Sequence, residues 1–203
     1  MPGENEGFER MNIEVGPATK EELGDIIRIQ QQNLGRNLSE DQREKGGFVN
    51  LETPLDFLQK IQEQNRVLVA RHNGHVVGYQ IPLKPDEAAS FPVFNEFLNK
   101  TGEITFKDKP LNASRFLIIA QTCRDRNEAY RGHRISEKLY DALGNQFADT
   151  YDVAVGQIAQ HNEASVRAHE RKGFVTIARY SHADGNDRRL EALDLEPYRK
   201  EHA

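Results

Sequence analysis

The five residues Phe116-Leu117-Ile118-Ile119-Ala120 constrain this chain more than any other stretch, because they are apolar without alternation. So short a run, bounded by polar residues, reads as a strand over Arg115 to Cys123 with both faces buried. Such a strand lies inside a sheet that helices cover on both sides. The following segments supply helices. Ile135, Leu139, Leu143 and Phe147 recur every four residues and give one apolar face to a helix over Arg134 to Phe147. Tyr151 to Ile158 reads as a second strand. Asn162 then caps a helix running to Lys172, and Gly173 stands where helices commonly end in the left-handed conformation.

The flanking sequence extends the sheet. Met11 to Val15 alternates as a strand does. Thr19 and Glu22 can form a capping box ahead of Leu23, Ile26, Ile27, Gln30 and Leu34, which follow at helical spacing. Ser39-Glu40-Asp41-Gln42 starts one helical turn that Gly46-Gly47 ends, with Phe48 and Val49 as apolar residues in a polar stretch. Thr53-Pro54-Leu55-Asp56 opens a helix with Leu55, Leu58 and Ile61 on its apolar face. Asn73-Gly74 joins Arg66 to His72 and His75 to Leu83 as a hairpin. Ser90 to Lys100 reads as a short helix and Glu103 to Phe106 as an extended piece. Phe174 to Tyr180 and Arg189 to Leu195 close the chain as strands about an Asp184-Gly185-Asn186-Asp187 turn. The expected fold is α/β (an α+β mixed sheet): a central mixed sheet of about six or seven strands flanked by helices on both faces. Residues 1–10, acidic and glycine-containing, read as a disordered tail, and 11–203 as a single domain. The stretch 82–114 is longer than an ordinary connection, and long connections in a compact domain are often functional.

Several classes are disfavoured. No apolar run approaches the roughly 20 residues that span a bilayer, and the first ten residues resemble neither a signal nor a transit peptide. The single cysteine, Cys123, rules out an intramolecular disulfide, which together with the missing leader fits a cytoplasmic protein. A net charge of -5 argues against a nucleic-acid partner held by bulk electrostatics, and no membrane partner is expected. Within this acidic chain Arg124, Arg126, Arg131, His133 and Arg134 form a local basic cluster, either a solvated turn or an anion site. The second reading has a mechanism: a strand that turns into a helix start offers free backbone N–H groups to a phosphate. His72 and His75 have metal-like spacing but bracket a hairpin turn with no carboxylate or thiol beside them, so no metal is expected.

Two motifs resemble the GNAT superfamily of N-acetyltransferases. One is Arg131-Gly132-His133-Arg134-Ile135-Ser136, similar to that family's acetyl-CoA motif, with Arg134 and Ser136 standing where the family has glycine. The other is Asn162-Glu163-Ala164-Ser165 followed by His169-Glu170-Arg171-Lys172-Gly173-Phe174, similar to the family's last helix. The resemblance covers about residues 11 to 195. It implies transfer of an acetyl group from acetyl-CoA, as cosubstrate, to a primary amine of a small molecule or peptide, by direct attack in a ternary complex. It places Arg131, Gly132, His133, Arg134, Ile135 and Ser136 at the pyrophosphate, and the backbone of Cys123 and Arg124 along the pantetheine arm and the thioester carbonyl. Asn162 and Ser165 would sit beside that arm. His169, where the family often has tyrosine, would give the leaving thiolate a proton if it is itself protonated, and Gln121 would position water or substrate. If Arg134 takes ordinary helical angles it still offers its N–H. Asp125 reads as a turn residue and no general base is assigned. Phe48, Tyr79, Phe91, Phe94 and Phe106 are candidates for the acceptor side, each also a candidate for plain core, with 82–114 near the acceptor site. A homodimer is possible for such a family member. The substituted glycines leave open a CoA-binding, non-catalytic sensor or interaction module.

Overall fold

The computed structural model describes residues 11–181, 185 and 187–199. The expected N-terminal tail and two residues of the last turn, Asp184 and Asn186, lie outside them. Seven strands form one sheet in the order β1-β2-β3-β6-β7-β9-β8. They are β1 (Glu14–Pro17), β2 (Leu68–His72), β3 (His75–Leu83), β6 (Phe116–Arg124), β7 (Val153–Ala159), β8 (Val175–Ser181) and β9 (Asp187–Asp194). A two-residue pair, β4 (Thr105–Phe106) and β5 (Lys109–Pro110), stands apart. The helices are α1 (Leu23–Asn33), α2 (Glu40–Gly46), α3 (Leu55–Gln62), α4 (Pro85–Ala88), α5 (Pro92–Asn99), α6 (Ile135–Phe147) and α7 (Glu163–Lys172). Every pairing in the large sheet is antiparallel except that of β6 with β7.

The non-alternating run behaves as its composition requires. Ile118 of β6 packs into one apolar cluster with Ile26 and Ile29 of α1, Leu58 of α3 and Phe94 and Phe97 of α5. Its neighbours Leu117 and Ile119 pack into the opposite cluster with Leu139, Leu143 and Phe147 of α6. Each such side chain contributes about 1.5–3 kcal/mol when fully buried, so β6 is anchored from both sides. The expected helix at Ser90 to Lys100 is shorter than its apolar residues suggest. Pro92 sets its first turn, and Pro85–Ala88 makes a separate short helix before it.

The parallel pair is incomplete, and that shapes the site. β6 and β7 are paired from Phe116↔Val153 to Ile119↔Gly156 only. Beyond that point β6 stays with β3 as far as Arg124, while β7 stays with β9 as far as Ala159. The register of β3 and β6 jumps between Ile81 and Pro82, leaving Ala120 as the extra residue. Pro82 has no N–H for the ladder, and a bulge bends the strand that carries it. The two central strands therefore splay apart just past the bulge.

Candidate functional site

The splay opens beneath the start of α6. The chain reaches that helix through Gly132 at φ 83° and Arg134 at φ 54°, ψ 38°. Both are left-handed, which glycine adopts freely and arginine does not. The condition set at the sequence level, ordinary helical angles at Arg134, is therefore not met. No side chain caps the helix. The amides of its first turn have no intrahelical acceptor and are available to an anion.

A groove of about 480 Å³ runs from this helix start between α6 and α7, with the end of α2 along its rim. Arg131, Gly132, Arg134, Ile135 and Ser136 line it, as do Lys45, Arg124, Arg167 and Arg171; Glu137 is the one carboxylate among the lining residues described. Several of these cations already have partners. Arg171 pairs with Glu137 at 2.7 Å, Arg167 with Glu163 at 2.9 Å, Lys45 with Asp41 at 2.7 Å and Arg131 with Glu128 at 3.4 Å. Among the described residues Arg134 makes no ion pair, so its charge is uncommitted. Burial pushes the Arg124 guanidinium down from its ordinary value. His133 does not line the groove: its Nδ1 accepts from the Met11 N–H at 3.4 Å, on the side away from it.

The backbone of β6 has a fixed phase. Asp125 N–H donates to the Val77 carbonyl at 2.8 Å, so in the antiparallel ladder Cys123 and Gln121 turn their N–H and C=O towards β3. Those of Thr122 and Arg124 point the other way, into the gap left by β7. The Arg124 carbonyl takes Asn33 Nδ2 at 3.0 Å, which leaves its N–H. The backbone of Cys123, expected to hold a ligand, is thus committed to the sheet, and that of Thr122, absent from the sequence reading, is the one that faces the gap. The Cys123 thiol is buried and pushed up to about 12.

A cavity of about 100 Å³ lies between the splayed strand ends, and Phe48, Thr122, Tyr140 and Ser165 border both it and the groove. Gln121 lines it, but both ends of its amide are used: Oε1 accepts from Tyr79 O–H at 2.7 Å and Nε2 donates to the Leu51 carbonyl at 2.5 Å. Those two bonds make it a brace between β3 and the loop at Leu51. Asn162 Oδ1 accepts from the Ser165 N–H at 3.4 Å, while its Nδ2 donates to the Phe48 carbonyl at 2.8 Å. Its side chain therefore ties α7 to the loop after α2. Asp125 is held as a turn residue, accepting from Arg28 Nη1 at 2.6 Å and the Asn127 N–H at 2.9 Å.

His169 is 4% exposed, stacked on Phe174 at 4.0 Å and edge-on to Tyr140 at 5.2 Å. Its ring lies over Gly156, where a Cβ would meet Cε1 at 2.8 Å. Burial pushes His169 down to about 3, helped by the nearby Arg189 charge. The condition attached to it at the sequence level, a protonated ring, is not met. Tyr140 is the hydroxyl the sequence reading passed over. It follows Ser136 by four residues, on the same side of α6, and that spacing was the signal.

Of the aromatics proposed for the acceptor side, Phe48 and Phe94 line the cavity. Tyr79 is wholly buried, Phe91 packs edge-on to Phe57 at 4.8 Å, and Phe106 belongs to the core. Phe48 also stacks on His161 at 5.3 Å. The stretch 82–114 covers this end of the site, since Gln157 Nε2 donates to the Val93 carbonyl at 3.2 Å while its Oε1 accepts from Tyr180 O–H at 2.8 Å. Among the described residues no group of three or more His, Cys, Asp or Glu could hold a metal ion, and no helix is long and apolar enough to cross a membrane.

No protein-family model matches the chain, and no curated protein sequence does. Solved structures do. A polyamine N-acetyltransferase of Drosophila melanogaster, which forms N-acetylagmatine, superposes with a TM-score of 0.62 at 14% identity, over 90% of this chain and 100% of that one. A putative acetyltransferase from Salmonella typhimurium, solved with its cofactor acetyl-CoA, gives 0.57 at 19% identity over 95% and 96%. A GNAT-family acetyltransferase from Bacillus cereus gives 0.53 at 11% identity over 90% and 97%. Over at least 90% of its length, the chain takes the fold of the GNAT N-acetyltransferases.

Proposed function

We propose that the protein transfers an acetyl group from acetyl-CoA to a primary amine, by direct attack within a ternary complex. One observation carries this reading: the splayed ends of β6 and β7 turn the amides of Thr122 and Arg124 into a gap that continues into a cation-lined groove under an uncapped helix start. The parts suit the two ends of one ligand. First-turn amides of α6, with Arg134 and Arg131, suit a pyrophosphate. Thr122 and Arg124 suit an amide-bearing arm that adds itself to the strand edge. An N–H at the splay, already aimed and shielded from water, polarises a thioester carbonyl as an oxyanion hole does. The amine then enters from the side covered by 82–114 and attacks the carbonyl carbon. The cavity there is narrow, which suits an unhindered amine head.

A second reading keeps the binding and drops the chemistry: a CoA-binding sensor or interaction module. It is favoured by the absence of any carboxylate among the described residues lining the cavity, and by the neutral ring of His169. Calorimetric titration with acetyl-CoA and CoA, followed by an amine panel assayed for released thiol, separates the two. Binding that is lost in Gly132→Trp, together with thiol release on at least one amine, supports the transferase. Binding without release on any amine supports the module. No binding by the wild-type protein sinks both.

A further inference from the structure

Tyr140 borders both the groove and the cavity, and nothing in the reading above uses its hydroxyl. The helix that aims its N-terminus at the groove also carries Tyr140, four residues beyond Ser136, further along the same wall. The side chain is 3% exposed. Its ring is held on two sides, edge-on to His169 at 5.2 Å and to Phe174 at 5.0 Å, so the phenol has little freedom to swing. Across from it stands Thr122, the residue whose backbone turns into the gap. Thr122 Oγ accepts from Gln80 Nε2 at 3.1 Å, and its hydroxyl lies beside the phenol. Tyr140 thus stands where groove and cavity meet.

We propose that Tyr140 O–H donates a hydrogen bond to the sulfur that leaves the thioester, in place of any group from α7. The inference rests on the acyl-transfer reading of the groove. The amine nitrogen bonds to the carbonyl carbon, the C–S bond breaks, and its electron pair goes to sulfur. The proton lost by nitrogen passes to solvent, and Tyr140 keeps its own. A thiolate forming in a water-poor space needs a donor more than it would in water, and a bond to a charged acceptor is about twice as strong as a neutral one. Burial pushes the Tyr140 hydroxyl well up from its ordinary value, so it remains a donor at any pH where an amine can attack. His169, at the helix position the sequence motif singled out, is neutral and packed face-on to Phe174.

The test reads the sulfur itself. Bound CoA is titrated by ultraviolet thiolate absorbance in wild type and Tyr140→Phe, the latter keeping the ring and its packing. Losing a donor to a charged group corresponds to a rise of about one to two pH units in the bound thiol. Turnover should fall by about tenfold or more while the acetyl-CoA KM moves less than about twofold. Thr122→Val, which removes the hydroxyl beside the phenol, should raise the bound thiol by a smaller amount. A bound thiol that titrates identically in wild type and Tyr140→Phe overturns the assignment, as does a rise produced by His169→Phe and not by Tyr140→Phe. If wild-type protein binds no CoA, the groove reading has failed and this inference goes with it, a result distinct from CoA binding with an unaltered thiol.

Discussion

Replacing Arg134 by glycine should make the protein more stable and its grip on acetyl-CoA weaker. Arg134 sits at φ 54°, ψ 38° with no side-chain cap, so its Cβ crowds the following carbonyl. That conformation costs an L-residue about 1–2 kcal/mol. Glycine removes the cost but adds freedom to the unfolded chain, worth about 0.4–1 kcal/mol in the opposite direction. The net gain is about 0.5–1 kcal/mol, which in a domain of this size raises Tm by about 1–4 °C. The same substitution deletes one of the two groove cations, with Arg124, that have no ion-pair partner among the described residues. A charge near a helix terminus contributes about 0.3–1 kcal/mol at low salt, so affinity for acetyl-CoA should drop about two- to fivefold, and the difference should shrink as salt rises. Urea unfolding gives the first quantity and calorimetry at two salt concentrations the second. A destabilised variant that binds as well as wild type would refute the reasoning on both counts: the residue would be neither strained nor at the phosphate.

Two further substitutions probe the packing around the site. Gly78→Val on β3 should destabilise by about 1–3 kcal/mol in urea, because its Cβ would meet Ile135 Cγ2 at 2.6 Å and the Cys123 carbonyl oxygen at 3.0 Å, and it should disturb the start of α6. His169, held near 3, is neutral in the folded protein while the unfolded chain protonates it below its ordinary value. Its contribution is therefore fully present above about pH 6.5 and is lost as pH falls towards about 3, at about 1.4 kcal/mol per pH unit. Chemical unfolding across that window should show a shallower acid slope for His169→Phe than for wild type. Equal slopes would mean that the ring is protonated in the folded state.

The central strand, the hairpin and both helix-bearing units were legible because each rests on a local signal: an unbroken apolar run, Asn-Gly, or a four-residue period. The turn into α6 was legible for the same reason, through a glycine and a helix start. What was not legible depends on groups far apart in the chain. The phase of the β6 backbone, and hence the exchange of Cys123 for Thr122, is set by Asp125 bonding Val77 and by the bulge opposite Pro82. The burial that pushes His169 down needs room over Gly156, on a strand that the motif does not include. Arg134 was misjudged because residue type argues against a left-handed angle there, and tertiary context overrides it. Phe48 and Val49 were the clue least used: two apolar residues in a polar loop, they line the rim of the site.

The incomplete pairing of β6 and β7 means that this sheet is built one half-strand short. The missing piece is a length of backbone-like amides that the chain does not encode. On this view a ligand lying there acts as a guest strand, and saturation of the site and completion of the fold become the same event. The amides of Thr122 and Arg124 would then exchange with solvent in the empty protein and fall silent in the full one, so that two protons report occupancy of the whole molecule.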